Sequence, residues 1–114
     1  MSETIQQGDL YWPRRPDGEI AHPQVVIQVG DATVVLCALT SNLQRVSWPG
    51  NVLLDAGDGG LSRPSVVEVA RQMTVAPSAL GAHIGRLSPE RVEQILNGLR
   101  FVKRTYWADD GDKK

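Results

Sequence analysis

Thr40, Ser41 and Asn42 stand together at the end of an apolar run that begins at Thr33. Short hydroxyl and amide side chains delivered to the exposed end of a strand suit a phosphate or nucleotide site, because they offer hydrogen bonds from a rigid support. The same three residues can equally do no more than terminate the strand, and the residues alone leave both readings open. Other groups with chemical potential are sparse. Cys37, inside Val34–Leu39, reads as a small buried hydrophobe and not as a nucleophile. His22 and His83 are far apart in sequence and, with a single cysteine, give no metal-ligand spacing. Gly57-Asp58-Gly59-Gly60 resembles a phosphate loop in composition only, since it leads into a strand and not a helix.

The chain has 114 residues, 41% of them hydrophobic, enough for one compact core and little more. Its formal net charge of -1 gives no global pull towards polyanions, so a nucleic-acid contact needs a local basic patch. Arg14-Arg15 forms one such pair, and Arg100, Lys103 and Arg104 form another, although a charged pair in a loop is usually just solvated. One cysteine excludes an intrachain disulfide and fits a reducing cytoplasm. The first ten residues lack the basic start and apolar core of a signal peptide, and no apolar run reaches the length of a membrane span. A soluble cytoplasmic protein is expected.

The elements that must position these groups are mostly strands. Leu10–Trp12 is expected to be short, stopped by Pro13, Pro16 and the Asp17-Gly18 turn signal. Gln24–Val29 and Thr33–Leu39 form a hairpin with a tight turn at Gly30-Asp31. Asn51–Leu54, Ser65–Val69, Met73–Val75 and Ala82–Leu87 are further strands, with Ala70-Arg71-Gln72 a bulge or a continuation. Pro77–Leu80 reads as one helical turn. The long helix starts after Ser88, with that serine as N-cap, Pro89 in the first position and Glu90 facing the free N–H groups. Val92, Ile95, Leu96, Leu99 and Val102 then fall on one face. Gly98 within that helix costs about 1 kcal/mol against alanine, which points to another backbone packed closely there. Short strands followed by one amphipathic helix argue for a mainly β fold, a small curved antiparallel sheet closed by a C-terminal α-helix. One domain over 1–105 and a disordered tail over 106–114 are expected.

Taken in order, Gly8–Trp12, His22–Gln28, Thr33–Leu54, Gly60–Val67 and Leu80–Ser88 resemble the MazF/PemK family of endoribonuclease toxins from bacterial toxin–antitoxin pairs. The likeness runs from about Gly8 to Val102 and rests on no single motif. It implies an SH3-like barrel with a C-terminal helix, of the kind shared with CcdB-type toxins, forming a homodimer whose groove binds single-stranded RNA. It also implies a cognate antitoxin protein with an acidic, initially disordered tail that folds along that groove. Neither a cofactor nor a metal is implied.

The resemblance assigns roles to residues. Family members cut RNA by attack of a 2′-hydroxyl on the adjacent phosphate, leaving a cyclic phosphate and a 5′-hydroxyl. That chemistry needs a proton acceptor and donors for the developing charge. The family threonine matches Thr40, with Ser41 and Asn42 lining the groove beside it. The family arginine, which precedes the proline opening the second strand, is replaced here by His22 in His22-Pro23-Gln24-Val25-Val26. Arginine is permanently charged and forked, whereas an imidazole titrates near 6.5 and offers at most two donors. His22 then serves as a general base when neutral or as a phosphate-binding cation when protonated; the alternative is a turn residue in a weak or dead enzyme.

The loop from Trp12 to His22 and the hairpin at Gly30-Asp31 are shorter than is usual in the family. Glu19 is the nearest counterpart of a glutamate often found in that first loop, and Arg14 and Arg15 are placed to restore the lost cationic charge. Trp48, between Thr40 and the next strand, is a candidate to stack on a base, or else covers the core beside Pro49-Gly50. Trp12 is expected to pack, and His83 to face solvent. The competing class is a non-cleaving homologue that binds an antitoxin or a gyrase-like target through the same dimer fold.

Overall fold

The computed structural model describes residues 4–14 and 22–103. The expected tail and the second basic cluster's Arg104 lie outside these residues. Six strands form one antiparallel sheet: β1 (Asp9–Pro13), β2 (Gln24–Val29), β3 (Val34–Thr40), β4 (Val52–Leu54), β5 (Ser65–Val75) and β6 (Leu80–Arg86), in the order β4-β5-β3-β2-β1-β6. The helix α1 spans Pro89–Val102. The sheet curls into a half-barrel around a core of Leu10, Val25, Cys37, Leu39, Leu54 and Val67, which Ile95 and Val102 of α1 close. Burying a side chain of this size contributes about 1.5–3 kcal/mol.

The expected hairpin is present, with a longer connection than a two-residue turn. Val29 pairs with Val34, so Gly30 to Thr33 make the loop, tied by a 2.9 Å hydrogen bond from the Gly30 N–H to the Thr33 carbonyl. The two expected strands after Arg63 are one, with a bulge: Cys37 pairs with Gln72 and Ala38 with Glu68, leaving Val69 to Arg71 unmatched. The Val69 N–H donates instead to Asn51 Oδ1 at 3.0 Å. The side-chain amide of the residue just before β4 therefore satisfies the backbone that the bulge frees.

The two edges, β4 and β6, are bridged by packing. The turn over Asp58–Gly60 lies against β6, where the Gly59 carbonyl occupies the space a side chain at Gly85 would fill. Gly57, Gly59 and Gly60 all have positive φ, a region glycine enters without steric cost. Arg91 on α1 anchors this turn through Asp58 at 2.9 Å and Asp55 at 3.1 Å. At the other end of the helix, Gly98 meets the backbone of Gly50, the close approach its position implied. The Arg91 N–H donates to Ser88 Oγ at 3.2 Å, the expected cap.

Candidate functional site

Thr40 is the last residue of β3, and its surroundings follow from the sheet order. β2 and β5 flank β3 and both run antiparallel to it, so both begin beside the end that carries Thr40. The Leu39 N–H donates to the Pro23 carbonyl at 3.1 Å, which draws His22 to that same end. Residues 18 apart in sequence thereby share two open cavities. One, of about 530 Å³, is lined by Trp12, His22, Thr40, Ser41, Ser62 and Arg63 among others. The second, of about 350 Å³, has His22, Thr40, Glu68, Arg71, Gln72 and Met73 on its walls.

The Thr40 hydroxyl is held by its neighbours. Its Oγ1 accepts from the Asn42 N–H at 3.1 Å, which leaves its own proton to donate. Asn42 Oδ1 in turn accepts from the Gln44 N–H at 3.2 Å and caps the 3-10 turn Leu43–Ser47. Asn42 lines neither cavity, so the capping function is what the geometry gives it, whereas Ser41 lies on the wall of the larger one.

One wall of the second cavity carries a buried carboxylate. The Glu68 side chain is 4% exposed and takes Arg45 Nη1 at 3.2 Å and Arg71 Nη1 at 3.6 Å. The Arg45 guanidinium also lies 4.3 Å from the centre of the Trp48 ring, a cation–π contact. Trp48 is 53% exposed and lines neither cavity. Trp12, expected to pack, is 43% exposed and does line the larger one. A strand-end tryptophan faces outward here because Leu10 and Tyr11 already occupy the two apolar clusters.

Arg14 ends up elsewhere: its N–H donates to the Ala79 carbonyl at 2.9 Å, and it lines neither cavity. Arg15 and Glu19 lie outside the described residues. His83 faces outward as its alternation implied, but Nε2 sits 3.2 Å from Asp9 Oδ1 and the ring meets Tyr11 edge-on. Burial would raise the Asp9 carboxyl pKa. Hydrogen bonds from Arg86, the Gln6 N–H and His83, with the Arg86 charge, outweigh it and hold the group below its ordinary value. Burial pushes the Cys37 thiol up to about 12, so it carries no thiolate at neutral pH and fits the expected role of a small hydrophobe. Among the described residues, no three His, Cys, Asp or Glu side chains are grouped so as to hold a metal ion.

Arg63, Ser62 and Glu68 are site residues that sequence reasoning did not single out. A signal for the first existed: Arg63-Pro64-Ser65-Val66-Val67 repeats the arginine–proline–strand pattern whose arginine is missing at His22.

Residues 6–102 match the family described as PemK-like, MazF-like toxins of type II toxin–antitoxin systems. The chain belongs to this family. It is 30% identical over 110 residues to endoribonuclease MazF6 of Mycobacterium tuberculosis and to endoribonuclease MazF2 of Mycobacterium bovis, covering 87% of this chain and 96% of each relative. The fold is shared with a mycobacterial endoribonuclease solved in complex with its cognate antitoxin, at a TM-score of 0.72 and 22% identity over 91% of this chain and 99% of that one. The Mycobacterium tuberculosis toxin MazF-mt6 gives a TM-score of 0.70 at 19% identity, covering 87% and 99%. The curled antiparallel sheet with one C-terminal helix is thus the PemK/MazF fold, as the resemblance implied. In this member of the family, Thr40 and His22 line the same two cavities at one end of β3.

Proposed function

We propose that this PemK/MazF toxin cleaves single-stranded RNA without a metal, using Thr40 and His22. The observation that carries the reading is their convergence on the same two cavities. Neutral His22 takes the proton of the 2′-hydroxyl as its oxygen bonds to phosphorus. The bond from phosphorus to the 5′ oxygen breaks, and that oxygen takes a proton from water at the open groove, leaving a cyclic phosphate and a 5′-hydroxyl. Thr40 donates its proton in a hydrogen bond to a non-bridging oxygen as negative charge builds there.

The partners follow from this reading. A cognate antitoxin is expected to occupy the same groove, and a second copy of the chain to complete it. Leu43, Val46, Trp48 and Leu53 are exposed around the turn after β3 and along β4, an apolar margin consistent with a homodimer. No helix among the described residues is long and apolar enough to cross a membrane. The substrate proposed places the site of action in the cytoplasm.

The test is incubation with a long RNA in EDTA, with cut sites and end chemistry mapped for wild type, Thr40→Ala and His22→Ala. Discrete cuts with 5′-hydroxyl ends, lost in both variants, are the expected outcome. A folded, antitoxin-free protein that cuts nothing between pH 5.5 and 8 is instead a non-cleaving homologue, the reading that histidine in place of arginine would favour.

A further inference from the structure

The larger cavity holds a symmetry of placement that the catalytic pair does not use. His22 and Arg63 each precede a proline, and each stands two residues before a strand that flanks β3. A residue before proline is driven to extended backbone, so each strand is entered the same way. Because β2 and β5 lie on opposite sides of β3, the two residues approach Thr40 from opposite sides and line one cavity with it.

Arg63 also differs in its pairing. Arg45 and Arg71 share Glu68, Arg86 holds Asp9, Arg91 holds Asp55 and Asp58, and Arg100 holds Glu93. Among the described residues Arg63 has no carboxylate within ion-pair reach, and no carboxylate lines its cavity. Arg14 is unpaired in the same sense but stands outside both cavities. A planar fork of donors, with no carboxylate partner among the described residues, in a cavity lined also by three serines and Thr40, suits the non-bridging oxygens of a phosphate.

We infer that Arg63 is the phosphate-binding cation of this groove, gripping the phosphate that Thr40 also holds. This rests on the proposed ribonuclease reading and deepens it by dividing two tasks. Arg63 supplies the permanent charge that grips the phosphate, and His22 is left the single task of accepting the proton. The arginine expected before the second strand is replaced in function from the opposite strand.

The experiment uses the intact protein and a mixed-sequence single-stranded RNA of about 20 nucleotides, 2′-O-methylated throughout so that it cannot be cut by 2′ attack. Its affinity is measured against salt for wild type, Arg63→Gln, Arg63→Lys and, as a distant control, Arg100→Gln. Arg63→Gln is expected to weaken binding roughly ten-fold at low salt and to flatten the slope of log affinity against log salt by about 0.7, the value for one lost contact to a single strand. Arg63→Lys should recover the slope but cut natural RNA more slowly than wild type, and Arg100→Gln should match wild type. An Arg63→Gln protein that binds and cuts like wild type overturns the inference even if Thr40→Ala is dead. A wild type that cuts no RNA, yet binds it in a manner dependent on Arg63, sinks the ribonuclease reading and leaves the phosphate site standing.

Discussion

The two histidines of the described chain occupy opposite kinds of surroundings. His83 joins Arg86 and the Gln6 N–H around a carboxylate that is 1% exposed, so its ring is one donor or acceptor in a closed set. His22 stands exposed where two strands begin, beside a hydroxyl and an arginine that lacks a carboxylate among the described residues. The same division runs through the cations. Around α1 and the closing turn they are matched, as with Arg91 between Asp55 and Asp58, and in the smaller cavity Arg71 is matched by Glu68; in the larger cavity Arg63 has no carboxylate partner among the described residues. One uncompensated cation beside a cavity, among cations that are otherwise paired, is the pattern that a polyanion-binding face would need.

The largest effect expected on the groove side is from Thr40→Ala. Losing a donor to the developing charge should slow cleavage at least about 100-fold while the urea midpoint stays within error, as followed by cleavage rate and circular dichroism. On the structural side, Gly98→Ala should lower stability by about 2 kcal/mol, read from the urea midpoint. The gain of roughly 1 kcal/mol in helix propensity is lost because a methyl there meets the Gly50 backbone. A more stable variant would show that this contact is loose.

Asp9→Asn should cost about 1–3 kcal/mol, because a buried charged acceptor is lost to Arg86 and His83. Its pH dependence has a defined sign. The folded carboxyl pKa lies below the ordinary 3.8, so the stabilisation is fully present above that value and fades as pH falls through the lowered one. Acid unfolding of wild type and Asp9→Asn should therefore converge at low pH. For His22 the expected change is in rate. His22→Gln, whose amide cannot take the 2′-hydroxyl proton, should slow cleavage about 100-fold with the urea midpoint unchanged. The smallest effect is Arg91→Ala, about 0.5–1 kcal/mol in urea unfolding, because Asp55 stays well exposed and its ion pair is screened.

Much of this was legible in the chain. The helix announced itself through Ser88-Pro89-Glu90 and the stripe from Val92 to Val102, both local patterns of capping and periodicity. The β2–β3 hairpin was clear for the same reason. Thr40 came from resemblance to a family, since a threonine at a strand end carries little information alone. What stayed hidden depends on contacts between distant segments. The bulge in β5 needs the Asn51 side chain to satisfy Val69, and nothing near residues 65–75 announces that partner. Arg63 reads as an ordinary loop cation until the order β5-β3-β2 sets it across from His22. Trp12 looked like a core residue because apolar aromatics usually are; only the occupancy of the core by its neighbours turns it outward.

The glycine seam between the closing turn and β6 bears on how the barrel breathes. The Gly59 carbonyl fits against Gly85 by shape, and the strand ladder does not run across from β4 to β6. Parting the seam breaks no row of backbone hydrogen bonds, so the half-barrel can gape there while β3, laddered on both sides, stays shut. Amide exchange should therefore be fastest along β4 and β6 and slowest at Leu36 to Leu39, with the floor of the groove the last part of the sheet to open.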